Sequence, residues 1–137
     1  MTRLLAIIVA LALAVPASAG PSKRTIRVID GDTIKASNLR APVRLLGYDA
    51  PELHKSVRSG YRCEAERQLG LQAKAELERI LAPSPKNKVV IKRTIARDEW
   101  GRRLARVTSN GRDVGQLLIA RGLAKPWKIG TPRPRWC

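Results

Sequence analysis

The sequence predicts one domain of mixed α+β class, mainly β: a small five-stranded barrel with two attached helices. Three observations lead there. Alternating apolar and polar residues recur in five short runs, the signature of strands. Two other segments, Cys63 to Ala82 and Val114 to Arg121, place apolar residues three and four apart, as helices do. A chain of 137 residues has room for a single core of modest size.

Thr25 to Ile29 alternates, and after the Asp30-Gly31-Asp32 break Thr33 to Ala36 runs on extended. Ser37 to Arg40 is turn chemistry, and Pro42 to Leu46 returns as a third strand. In the long helix Leu69, Ala73, Leu77, Ile80 and Leu81 share a face, and Pro83-Ser84-Pro85 ends it. Lys88 to Arg97 and Arg102 to Thr108 complete the strands, the last stopping at Asn110-Gly111. Asp113 caps the second helix, which buries Val114, Leu117 and Leu118 and ends at Gly122. Pro126 to Cys137, rich in proline, suits an extended surface segment. The oligonucleotide-binding (OB) barrel is an architecture of this size and make-up.

Composition removes several function classes. One His and two Cys cannot build a four-ligand His/Cys zinc site or a four-cysteine iron–sulfur centre, so a bound metal would rest on oxygen ligands. With 27 Lys and Arg against 11 Asp and Glu, the net charge of +16 exceeds what solubility asks of a small domain and implies a polyanionic partner. Nucleic acid is the first candidate and an anionic membrane surface the second. A membrane-active protein would explain the charge but not the acidic cluster described below.

Residues 1–19 read as an export signal: Arg3, an apolar run from Leu4 to Val15, Pro16, then Ala17-Ser18-Ala19 before Gly20. The run is too short to span a bilayer. The expected mature chain, residues 20–137, is periplasmic or secreted, monomeric and without stable membrane association. In an oxidising compartment Cys63 and Cys137 are expected to form a bridge, worth about 4 kcal/mol in the chain-entropy model for so long a loop.

Four of the 11 acidic residues fall in two short segments, Asp30-Gly31-Asp32-Thr33 and Asp49-Ala50-Pro51-Glu52. Antiparallel pairing around a turn near Leu39 puts position 32 opposite 46 or 47, which brings Asp32 towards Asp49. Clustered carboxylates repel unless a cation or hydrogen bonds compensate. Two readings stand: a Ca²⁺ site built from carboxylates and backbone carbonyls, or turn chemistry with the acids paired to nearby Arg and Lys. Arg44 and Arg102 flank these segments and offer forks suited to phosphate. Glu52 could orient or deprotonate a water. His54 lacks a second His to work with and reads as an ordinary loop residue.

Val28 to Thr33, Arg44 to Glu52, Asp98 to Ala105 and Leu117 to Ala124 resemble, in order, four signatures of the staphylococcal nuclease family. The resemblance covers most of residues 25 to 125. It implies an OB-fold enzyme that hydrolyses DNA and RNA with Ca²⁺ and releases 3′-phosphorylated products. By motif position, Asp32 and Asp49 would ligate calcium by side chain and Ala50 by its carbonyl, with Asp30 supporting them from behind. Glu52 would position or activate the water, and Arg44 and Arg102 would bind the phosphate. The sequence departs from the family pattern at Ala50, where Thr stands in its best-known member, at Glu99, where a basic residue is common, and in the tail, where Pro132, Pro134 and Cys137 replace a long helix.

Trp100 and Trp127 are the expected stacking platforms for bases of single-stranded or frayed DNA and RNA, and Lys55 and Arg58 are candidate phosphate contacts. The alternative function is a nucleic-acid-binding OB-fold module without turnover. Loss of Asp32, Glu52 or either Arg would mark it, and all are present.

Overall fold

The computed structural model describes residues 24–137, so the expected leader at 1–19 lies outside the described residues. Strands β1 (Ile26–Asp30) and β2 (Thr33–Ala36) form a hairpin, followed by β3 (Val43–Leu45) and β4 (Tyr48–Asp49). Helix α1 (Glu64–Leu81) leads to β5 (Val89–Arg97), β6 (Arg103–Ser109) and β7 (Arg112–Asp113). Helix α2 (Val114–Ala120) and β8 (Lys125–Pro126) complete the order.

The main sheet runs β1-β2-β3-β6-β5, with β7 on β6, and β4 pairs β8 separately. All neighbours are antiparallel except β3 and β6, which run parallel with Arg44 opposite Leu104. The expected five long strands and two helices are present. Among the described residues no ladder joins β1 to β5: Arg24 Nη2 donates to the Val89 carbonyl at 2.9 Å across that seam. The architecture shown is therefore a mixed α+β fold, mainly sheet, with two helices.

The sheet's inner face supplies Val28, Ile34, Val43, Leu45 and Val107, which meet Ala73, Leu77, Ile80 and Leu81 of α1 and Val114 and Leu118 of α2. Each fully buried aliphatic side chain contributes ~1.5–3 kcal/mol. Two helix positions depart from expectation. Leu69 is half-buried, and Glu66 and Gly70 take the inward positions on the first turns of α1. The reason is that this end of α1 packs on polar loop backbone: Glu66 accepts hydrogen bonds from the amides of Arg62 (2.7 Å) and Glu52 (3.4 Å). Leu117 is likewise only partly buried.

Turn chemistry behaves as expected. Asn110 and Gly111 have φ of 50° and 79° and carry the β6–β7 reversal. Asp113 caps α2 by accepting from the Gln116 amide at 3.1 Å. Cys63 and Cys137 are bridged.

The tail is the expected surface segment, with no buried residue from 126 to 137, but it is pinned down rather than free. Through β8 it pairs with β4, Tyr48 opposite Pro126 and Asp49 opposite Lys125, and then folds back towards α1, where the bridge ends it. Strands β4, β7 and β8 are two residues long. A pair of residues cannot show periodicity, so only tertiary pairing reveals them.

Candidate active site

The β1–β2 hairpin positions Asp32. Asp30 Oδ1 accepts from the Asp32 amide at 3.1 Å, which closes a tight turn at Gly31. Any side chain at Gly31 would strike Ala50 and Ala73, with a Cβ only 2.6 and 2.8 Å from theirs, so glycine lets the hairpin tip reach both α1 and the loop after β4. The Tyr48 hydroxyl donates to the Gly31 carbonyl at 3.0 Å. Burial raises the Tyr48 pKa well above its ordinary value, which keeps that donor protonated.

Pairing of β2 with β3 sets Thr33 opposite Arg44. Leu45 donates its amide to the Asp32 carbonyl at 2.8 Å, one or two register steps from the 46 or 47 expected. Arg44 Nη2 then lies between two carboxylates, 2.9 Å from Asp32 Oδ2 and 3.0 Å from Asp49 Oδ1. The Ala50 amide donates to Asp32 Oδ2 at 3.1 Å. The two acidic segments do meet, and Arg44 joins them.

Burial dominates the electrostatics. It pushes the Asp32 carboxyl up to about 7 against the pull of the Arg44 guanidinium, with Asp30 and Asp49 adding to the rise. It also raises Glu52, opposed by Arg133. Arg44 is buried at a cost to its charged form, but Asp32 and Asp49 outweigh that and its pKa rises. Among the described residues, Arg44 Nε is the one buried side-chain nitrogen or oxygen without a partner.

Arg102 is set by the Asp98-Glu99-Trp100-Gly101 turn. Asp98 accepts from the Arg102 amide (2.8 Å) and from its Nε (2.7 Å), and Gly101 supplies the φ of 74° that the turn needs. Arg102 Nη1 reaches Thr33 Oγ1 at 3.3 Å. Glu52 is carried by backbone that lies hard against α1: a Cβ at Gly70 would fall 2.8 Å from the Glu52 carbonyl oxygen.

Asp30, Asp32, Arg44, Glu52 and Arg102 share one open cavity of about 1180 Å³. Trp100, Trp127 and Trp136 line the same cavity, so all three tryptophans of the chain gather there. Trp127 lies under the Arg44 guanidinium, 5.1 Å from ring centroid to Cζ, while Trp100 is half exposed. Arg58 is exposed at the cavity rim, whereas Lys55 is exposed and not part of the lining.

The sequence alone missed two residues. Arg133 donates from Nε to Asp49 Oδ1 (2.9 Å) and from Nη1 to Glu52 Oε1 (2.7 Å), and its Nη2 lies 2.7 Å from Asp49 Oδ1 in the same ion pair. Trp136 Nε1 donates to Asp49 Oδ2 at 3.1 Å. Asp49 is fully buried beneath them, not open to the cavity. The sequence does carry a signal for this: Cys137 follows Trp136 directly, and its partner Cys63 lies at the start of α1, beside the acidic loop.

A family model for staphylococcal nuclease homologues matches residues 42–134. The chain belongs to that family. The matched span holds Arg44, Asp49, Glu52 and Arg102 and extends into the tail through Arg133. Asp32 lies before it and joins the site through the β2–β3 pairing.

Family membership implies calcium, and the side chains allow a test of fit. Asp32, Asp49, Glu52 and the Ala50 carbonyl are hard oxygen donors of the kind Ca²⁺ accepts. In kind, the residues fit a hard divalent cation. As arranged, no group of three or more His, Cys, Asp or Glu among the described residues is placed to hold one, and the Asp49 oxygens face Arg44, Arg133 and Trp136.

Proposed function

We propose that this protein is an exported, calcium-dependent nuclease that hydrolyses phosphodiester bonds of DNA and RNA and leaves 3′-phosphorylated products. The observation that carries the reading is Arg44: a buried guanidinium that lines, with Arg102 and Glu52, one open cavity. Two guanidinium forks and a carboxylate on one cavity suit a phosphoryl group. The strand order, with a seam between β1 and β5, supports an OB-type barrel as the frame.

In this reading Asp32, Asp49 and the Ala50 carbonyl would hold calcium, which would supply positive charge against the phosphate. Glu52 takes the proton of a water attacking phosphorus, and the 5′ oxygen leaves in line. Arg44 and Arg102 bind the phosphoryl oxygens and offset the charge that grows on them. Arg44 is held rigid by two carboxylates and the Trp127 face, and Arg102 by Asp98, so neither has to be ordered at the moment of reaction.

The outer sheet face supports a nucleic-acid partner. Arg27 stands opposite Lys35, and Lys92 opposite Arg106. Directly opposed like charges destabilise a sheet, and a polyanion laid across them would relieve that. Trp100 gives an exposed ring on which an unpaired base can stack. Export rests on the character of residues 1–19 and agrees with the bridge. A monomer in the periplasm or medium, without stable membrane association, is the accompanying proposal.

The second reading, a binding module without turnover, is favoured by one feature: Arg133 already neutralises Asp49 and Glu52. Plasmid digestion by the purified protein with Ca²⁺, with chelator and as Glu52→Gln separates the two. Cleavage that requires both calcium and Glu52 supports the enzyme. Binding without cleavage supports the module, and cleavage indifferent to both changes refutes the mechanism.

A further inference from the structure

Two guanidiniums converge on one oxygen in this protein. Asp49 Oδ1 accepts from Arg44 Nη2 and Arg133 Nε, with Arg133 Nη2 also 2.7 Å away, and Oδ2 accepts from Trp136. A carboxylate offers about four lone-pair sites, so Oδ1 is filled by the two guanidiniums and a metal ion there has to displace one of them. The remaining Arg133 nitrogen, Nη1, takes Glu52 Oε1. One tail side chain thereby occupies both a proposed calcium ligand and the proposed base.

The two guanidiniums differ in how firmly they are held. Arg44 belongs to β3 in the middle of the sheet, and its side chain is 7% exposed. Arg133 lies on a segment without regular structure, and its side chain is 32% exposed. Beyond Trp127, whose amide donates to the Gly47 carbonyl, the tail is held by the Arg133 and Trp136 side chains, by Lys125, which donates to the Arg135 carbonyl and lies over the Trp136 ring, and by the Cys63–Cys137 bridge. Cys137 follows Arg133 by only four positions, so the bridge keeps that guanidinium at high effective concentration beside Asp49.

We infer that Arg133 and a divalent cation compete for the Asp49 and Glu52 carboxylates, with the Cys63–Cys137 bridge biasing the competition towards Arg133. The inference rests on the calcium reading of this site. It makes the bridged tail an internal, displaceable occupant of the metal position. Reduction by a dithiol, which passes two electrons and two protons to the bridge and becomes a disulfide itself, frees the tail and shifts the balance towards the metal.

The test is Ca²⁺ binding by titration calorimetry on the purified protein, bridged and after dithiothreitol treatment, as wild type, Arg133→Ala and Arg133→Lys, with folding checked by circular dichroism. An ion pair of this exposure is worth on the order of 1 kcal/mol, so Arg133→Ala should tighten Ca²⁺ about five- to tenfold, with Arg133→Lys between it and wild type. Reduction should tighten Ca²⁺ in wild type and leave Arg133→Ala unchanged. By reciprocity, Ca²⁺ should make the wild-type bridge easier to reduce. Unchanged or weaker affinity in Arg133→Ala would overturn the inference, as would an equal effect of reduction in both proteins. Absence of Ca²⁺ uptake in every form would overturn it too, and plasmid cleavage measured alongside would tell whether the nuclease reading survives. Tighter Ca²⁺ without cleavage would uphold the competition and sink the nuclease instead.

Discussion

Replacing Asp32 with Asn removes a buried negative charge that the fold holds against its solvation. In the folded protein the carboxyl rises from its ordinary 3.8 to about 7, chiefly through burial. A carboxyl with a raised value favours the folded state least when ionised. Below about 4 the group is protonated folded or unfolded and costs nothing. Between there and 7 the penalty grows with pH, and above 7 it is fully present. At about 1.4 kcal/mol per pH unit, the ceiling on what Asp32→Asn recovers is roughly 4 kcal/mol. The gain should fall short of that, because Asn no longer offers Arg44 the charge it meets at 2.9 Å, although its carbonyl can still accept from the Ala50 amide. We expect a net stabilisation of about 1–3 kcal/mol at pH 8 in chelator, shrinking towards zero or below near pH 4. Urea unfolding of both proteins at a series of pH values measures it. A gain independent of pH, or a loss of stability at pH 8, would refute the assignment of burial as the dominant force on Asp32.

Glu52→Gln should lower cleavage by about 10²- to 10⁴-fold with the fold intact, as expected for loss of a general base. Because Glu52 must be ionised to accept a proton and burial raises its pKa, the rate should fall on acidification at a pH above the usual carboxylate range, and the residual Gln activity should lack that limb. Gly70→Ala should fail to give the ~1 kcal/mol gain of an ordinary helix position, since its Cβ would lie 2.8 Å from the Glu52 carbonyl oxygen; lower thermal stability and lower kcat together would show it. Cys137→Ser should cost about 2–5 kcal/mol in urea unfolding, and an unchanged midpoint would mean the bridge constrains the tail alone.

Much of the site was legible because its chemistry is local. Asp30-Gly31-Asp32 is a turn whatever surrounds it, and Asp98 four residues before Arg102 clamps that guanidinium within its own hairpin. The meeting of Asp32 with Asp49 also followed from strand counting, with a register error of one or two that the turn after β2 decides. Arg133 and Trp136 were signalled only by the expected Cys63–Cys137 bridge, for the opposite reason. They reach Asp49 from more than 80 positions away in the chain, and no local pattern marks which basic or aromatic residue of an extended segment will turn inward.

By itself the sequence determined the class of fold, the long strands and helices, the acidic pair in a cationic chain and the flanking arginines, since periodicity, turn residues and charge act over a few neighbours. Tertiary structure alone decided who neutralises those acids. The short β4–β8 pairing and the bridge carry the tail across the cavity, and long-range packing of that kind is set by the whole chain rather than by any window of it.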